Sequence, residues 1–290
     1  MNINGGRRMH RIEAQRGAPP RVKTLAALRG LLAKAGGKSS MAPNRAEDFP
    51  LGAENVDAFL GGGLSRACLH EIHAPWGADG PAAAGFSLGL ALRAAPGRPV
   101  FWVRQDVMEG EGGRLNGMGL AEFGVDPAAL SLVRGKDAEA VLRAGVEAAR
   151  CKSLGAALIE IFGAPRALDL TATLRLARAA EVSGVTVFLL RIRAGQGAKT
   201  GPPPSAAASR WRARAQNSRP LLANAPGAPC FSVTLLRHRG GAADRSWRLE
   251  WQRDQGLFHE AAEGVSATLS GALAALPADG KVASRERRAG

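Results

Sequence analysis

From residue 51 onward, short runs of apolar and β-branched residues alternate with stretches whose apolar positions recur at helical spacing. The runs CLHEI (68–72), PVFWVR (99–104), LSLVR (130–134), AALIEI (156–161) and VTVFLLRI (185–192) predict strands. Between them, DAEAVLRAGVEAAR gathers Ala138, Val141, Leu142, Gly145, Val146 and Ala149 on one face. LDLTATLRLARAAEVSG predicts a helix that opens at Asp169 or Thr171 and stops at Gly184. Alternation of this kind implies an α/β fold with a mostly parallel sheet. Toward the end the period changes to two. In CFSVTLLRHRGGAADRSWRLEWQ, Phe231 to Arg237 and Ser246 to Gln252 predict an antiparallel hairpin around a Gly-Gly turn. Trp247, Leu249 and Trp251 share one face of it, opposite Arg248 and Glu250, and the hairpin would extend the sheet edge.

Upstream of this core, RVKTLAALRGLLAKAGG repeats Val22, Leu25, Leu28 and Leu32 at helical spacing among Arg21, Lys23, Arg29 and Lys34. It predicts a basic amphipathic helix that docks on a partner or a neighbouring subunit; an organelle transit peptide is the other reading of such a segment. The layout is then a basic N-terminal helix and linker over 1–45, a core over 46–260 and a basic tail over 261–290. Charge follows the same division. Of the net +14, residues 1–45 carry +9 and residues 280–290 carry +3, so +2 remains for everything between. Within that stretch, residues 191–219 hold seven basic groups and no acid. A phosphate backbone is the commonest partner for charge segregated in this way, with solubility or an acidic protein surface as alternatives. The longest clean apolar run, VTVFLL, is too short to cross a bilayer, so no membrane role is expected. Three widely separated cysteines, Cys68, Cys151 and Cys230, indicate neither a disulfide framework nor a zinc site and fit the cytoplasm.

The stretch GPAAAGFSLGLALR (80–93) follows the first predicted strand and carries Phe86, Leu88, Leu90 and Leu92 into a helical pattern. Gly80, Gly85 and Ser87 stand where G-x-x-x-x-G-K-[ST] has its glycines and hydroxyl, and Phe86 replaces the lysine. That lysine neutralises the β- and γ-phosphates, so an apolar ring removes the attraction and could itself occupy the pocket. Backbone amides of such a loop could still bind an anion weakly. The simpler reading is a Gly/Ala-rich turn from strand to helix.

Several stretches together resemble RecA-like recombinases. LGAENVDAFLGGGLSRACLHEI resembles the approach to the ATPase core; VFWVRQD, the strand that ends in the catalytic glutamate, with Asp106 here; AALIEI, the Walker B strand, with Glu160 where aspartate is usual; and FLLRIR, the sensor strand, with Arg191 for a polar amide. With GLAEFGVDPAALSLVRGKD, SAAASRWRARA, RHRGG and WRLEWQRD in this order, the chain is similar to the ImuA family, also labelled SulA-like or RecA-like, over about residues 50–255. The resemblance implies a RecA-like, P-loop-type core with a degenerate nucleotide site at Gly80, Gly85, Phe86, Ser87, Asp106 and Glu160. It implies an accessory factor of SOS-induced, error-prone translesion DNA synthesis. The partners implied are an ImuB-like polymerase homologue and a C-family polymerase, with RecA and self-association as further candidates. No catalytic residue, metal or cofactor is assigned, and a lysine-free ATPase frame is expected to act as a scaffold. Two other readings remain: a DNA-dependent ATPase whose lysine comes from Lys136 or a neighbouring subunit, and a SulA-like inhibitor of cell division.

Recombinase relatives carry DNA-contacting loops after the Walker B and sensor strands. Here RIRAGQGAKTGPPPSAAASRWRARAQNSRP predicts a mobile loop in the second of these places. In it Arg191, Arg193, Lys199, Arg210, Arg212, Arg214 and Arg219 would neutralise phosphates of single-stranded DNA, and Trp211 would stack on a base. A solvated linker whose arginines pair with acids of the sheet edge is the alternative, as is a contact with protein. His70 and His73 in HEIH point to different faces of a strand and are expected to be structural. Glu109 and Glu111 lie in the Gly-rich MEGEGGRLNGMG, expected to be exposed rather than catalytic.

Overall fold

The computed structural model describes residues 47–193, 203–222, 225, 227–241 and 243–261. The basic helix expected over 1–45, the tail beyond Ala261 and Lys199 lie outside the described residues.

One nine-stranded sheet organises the molecule, in the order β11-β10-β9-β8-β3-β7-β6-β4-β5. Its parallel half comprises β3 (Leu69–Ala74), β4 (Val100–Gln105), β5 (Leu130–Gly135), β6 (Ala156–Phe162) and β7 (Thr186–Ile192), which match the five predicted strands. The hairpin is formed by β9 (Cys230–His238) and β10 (Arg245–Gln252), with Trp247 opposite Val233 and Leu249 opposite Phe231. It extends the sheet as expected, and β11 (Leu257–Glu260) adds an edge strand that was not foreseen. A small two-stranded ribbon, β1 (Asp48–Phe49) with β2 (Leu64–Ser65), flanks helix α1 (Glu54–Leu60).

The joint between the halves corrects the sequence reading. Residues 209–216, expected to end a mobile loop, form β8 (Ser209–Gln216), parallel to β3 and antiparallel to β9 in mid-sheet. Alternation explains it. Ser209, Trp211 and Ala213 are buried on one face, while Arg212 and Arg214 are exposed on the other.

Helix α2 (Gly80–Ala94) packs on one face of the sheet; α5 (Ala138–Arg150) and α6 (Leu170–Ser183) pack on the other. Two short helices, α3 (Met108–Glu111) and α4 (Gly117–Glu122), follow β4. The aspartates Asp137 and Asp169 cap α5 and α6, accepting the amide N–H of Ala140 and of Ala172, each at 2.7 Å. Gly184, at φ +85°, ends α6 in the left-handed conformation that glycine adopts without strain. Under α2 the approach is close: a Cβ on Gly89 would lie 2.4 Å from Phe258 and 3.0 Å from Trp251. No helix among the described residues is long and apolar enough to cross a membrane.

Candidate functional site

In a parallel α/β sheet, ligands bind beyond the carboxyl ends of the strands. At that edge, the ends of β4 and β6 and the start of α2 surround a cavity of about 230 Å³. Gly80, Ala84 and Gly85 form one wall, Trp102, Arg104 and Glu160 line it from the strands, and Leu115 and Phe123 contribute from the segment after β4. The Gly-rich stretch at 108–119 therefore folds over the cavity rather than standing free. Glu109 is ion-paired with Arg134 and lies 3.8 Å from Arg114.

The floor of the cavity is an ion pair. Arg104 is 4 % exposed and Glu160 is 1 % exposed, and the two face each other across β4 and β6 in register. Arg104 Nη2 donates to Glu160 Oε1 at 3.2 Å, and its Nε lies 3.2 Å from Oε2. Trp102 Nε1 donates to the same carboxylate at 2.9 Å, while Arg104 Nη1 donates to the Gly113 carbonyl at 3.1 Å. Burial pushes the Glu160 carboxyl above its usual value against the pull of Arg104 and of these hydrogen bonds. Arg104 was not singled out from the sequence.

A RecA-like frame implies a nucleoside triphosphate with Mg²⁺, and the residues present do not fit that group. Helix α2 is already wound at Gly80, so residues 80–85 form its first turns and not a loop ahead of it. Phe86 is fully buried and turned away from the cavity, with ring centroids 5.8 Å from Trp211, 6.1 Å from Phe231 and 5.3 Å from Phe258. It fills the core under α2 and leaves the pocket open. Ser87 Oγ donates to the Ala83 carbonyl at 2.7 Å, within its own helix. Glu160 is engaged by Arg104 and Trp102, and Asp106 sits 3.7 Å from Arg134 Nε. Gly80, Gly85, Asp106 and Glu160 do gather around one end of the sheet, but Phe86 and Ser87 face elsewhere.

The expected nucleic-acid residues divide in two. Arg191 and Arg210 are buried on the other face of the sheet, where both clasp Glu71, which is fully buried. Arg191 Nη1 donates to Oε1 at 2.8 Å, and Arg210 Nε donates to Oε2 at 3.0 Å. His73 Nε2 lies 3.1 Å from Oε1. Burial pushes the Glu71 carboxyl up, but His73, a hydrogen bond from Ser205 and the charge of Arg210 outweigh it and hold the group well below the carboxylate range. Trp211 is fully buried in the core, its Nε1 donating to Ser209 Oγ at 2.9 Å, so it cannot stack on a base. Arg191, Arg210 and Trp211 are thus internal rather than at a nucleic-acid surface: Trp211 faces the core under α2, while Arg191 and Arg210 are buried on the opposite face because Glu71 pairs with both. Arg212, Arg214 and Arg219 are exposed and Arg193 is half-buried; Arg214 Nε lies 3.8 Å from Asp79.

Both histidines of HEIH are structural. His70 Nε2 donates to the Ser65 carbonyl at 2.8 Å, which leaves Nδ1 to accept from the Ser209 hydroxyl at 2.7 Å. Burial lowers its imidazole to about 4. Among the described residues, no group of three or more His, Cys, Asp or Glu side chains could hold a metal ion.

No family model matches this chain, and no curated protein matches it either. Among solved structures, it is similar to the crystal structure of the RadB recombinase, with 14% sequence identity and a TM-score of 0.50 over 74% of this chain and 100% of that one. At that identity the likeness speaks to the fold, and the fold is RecA-like: an α/β core whose mostly parallel sheet runs into antiparallel strands at its C-terminal end.

Proposed function

We propose that this chain is a non-catalytic accessory protein of error-prone translesion DNA synthesis, of the ImuA type, which binds single-stranded DNA and polymerase partners. The Arg104–Glu160 pair carries the reading. A buried guanidinium holds the acid at the Walker B position, so both of its oxygens are already engaged and its charge is already matched by a fixed internal cation rather than left to orient a hydrated one. Catalytic use of the frame is thereby given up, while its exposed surface is retained. On that surface Arg212 and Arg214 stand exposed along β8, with Arg193 just after β7 and Arg219 three residues past β8, positions suited to phosphate contacts.

Full-length protein should bind labelled single-stranded DNA, more weakly as salt rises. Each phosphate contact on a single strand contributes about 0.7 to the slope of log affinity against log salt, so Arg212→Ala with Arg214→Ala should lower that slope by roughly 1.4. The same double variant should fail to restore damage-induced mutagenesis to cells lacking the protein. Normal induced mutagenesis in cells lacking the protein would reject the translesion role. A wild-type slope in the double variant would reject these arginines as the DNA contact.

A further inference from the structure

We propose that the outer groove along α6, beside the end of α5, is the docking site for an acidic amphipathic helix of a partner protein. The groove has a volume of about 730 Å³ and lies on the face of the sheet opposite the α2 cavity. Four cations line it: Arg150, Lys152, Arg175 and Arg178. No carboxylate lines it among the described residues. At its margins, Glu147 sits 3.4 Å from Arg150, and Glu181 belongs to the adjoining hollow with Arg178.

The apolar part of the groove explains why the partner should be a helix. The inward positions of α6 are satisfied in the core by Thr173, Leu176 and Ala180, yet Leu170 and Leu174, one turn apart, are 46 % and 48 % exposed. A scattered exposed leucine needs no explanation. Two at i and i+4, with Leu174 in the groove and cations at the neighbouring positions 175 and 178, present the pattern that receives the apolar stripe of another helix.

Charge selects the occupant. The chain's own ends, at +9 over residues 1–45 and +3 over 280–290, repel four cations. A nucleic acid would meet the arginines but gain little from the leucines. An acidic helix satisfies both, with its carboxylates on the guanidinium groups and its apolar stripe on Leu170 and Leu174. This adds a kind of partner to the scaffold reading above and rests on that reading only in expecting a protein partner.

The test uses full-length protein and a fluorescent helical peptide of about 16 residues with leucines at i and i+4 flanked by glutamates; a control peptide carries lysines instead. The acidic peptide should bind, lose affinity as salt rises, and bind at least about tenfold more tightly than the basic one. Arg175→Glu with Arg178→Glu should weaken binding about tenfold or more, and Leu174→Asp should do so with less salt dependence. Both variants alter exposed positions, and single-stranded DNA affinity measured on the same samples should be unchanged, which separates failure of the groove from failure of the DNA reading. If the charge-reversed protein does not fold, Arg175→Gln with Arg178→Gln replaces it, with the same direction expected. Equal binding of the two peptides, or affinity unaffected by the variants, overturns the proposal. So does a peptide of residues 15–40 of this chain competing more strongly than the acidic one, which would make the groove a site for the protein's own end. Joint loss of DNA and peptide binding would overturn it in favour of a nucleic-acid surface.

Discussion

The ring of Phe86 meets the indole of Trp211 with centroids 5.8 Å apart and planes inclined at 62°. One of these residues stands at the lysine position of a phosphate loop and the other among arginines, and their contact ties both into the core beneath α2. Trp211→Ala is expected to lower the unfolding free energy by about 3–5 kcal/mol, read as a fall in the urea midpoint. Any loss of DNA binding should then track the loss of folded protein. A variant that keeps its midpoint and loses DNA would return the indole to the surface.

Phe86→Lys, which restores the residue of a phosphate loop, should give no ATP turnover. The ammonium would enter a site enclosed by Trp211, Phe231 and Phe258, at a cost on the order of several kcal/mol unless it is neutral. Steady-state hydrolysis above wild type in this variant would show that the first turns of α2 can unwind around phosphate.

Glu160→Gln should destabilise by about 3–5 kcal/mol, because it leaves the Arg104 guanidinium buried without its counter-charge. Replacing both partners with methionine should cost far less than the sum of the single changes. Denaturant unfolding of wild type, Arg104→Met, Glu160→Met and the double variant in a double-mutant cycle measures this, and additive losses would contradict a coupled pair.

Acid should weaken the fold before most carboxylates titrate. The folded-state value of His70 is lowered to about 4 from 6.5, so in that window the unfolded chain binds a proton the folded chain refuses, and stability falls as pH falls. Each full unit of the window is worth about 1.4 kcal/mol for one such group. Burial lowers His73 in the same direction; Glu160, raised by burial, acts in the opposite sense above its unfolded value. The ring resonances of His70, followed by NMR, should stay those of neutral imidazole between pH 7 and 5 while the urea midpoint drops. A ring that titrates near 6.5 would remove the cause.

The parallel half of the sheet was readable because its strands are short apolar runs set between capped helices. Asp169 and Gly184, for example, bound α6 where the pattern placed them. β8 was not readable. SAAASRWRARA mixes small residues with arginines, and what makes Arg210 tolerable inside the sheet is Glu71, 139 residues away in sequence. The same nonlocality hid Arg104. A signal was present all the same: a lone arginine in VFWVRQD and a lone glutamate in AALIEI each interrupt an otherwise apolar strand, and two such interruptions of opposite sign are best satisfied by each other. Glu71 in LHEIH and Arg191 in FLLRIR repeat the device on the opposite face. Reading these charges as altered family positions gave no warning that Glu160 is held in a closed internal pair with Arg104.

Because Arg191 and Arg210 hold the two oxygens of one carboxylate, Glu71 works as a staple at the base of the span between them. The two ends of that span cannot separate without stripping a buried anion of its counter-charges. A force that draws Arg191 and Arg210 apart therefore loads β3, β7 and β8 together and is carried into the middle of the sheet. Tension between Arg191 and Arg210 would have to break the centre of the molecule before these two anchors could part.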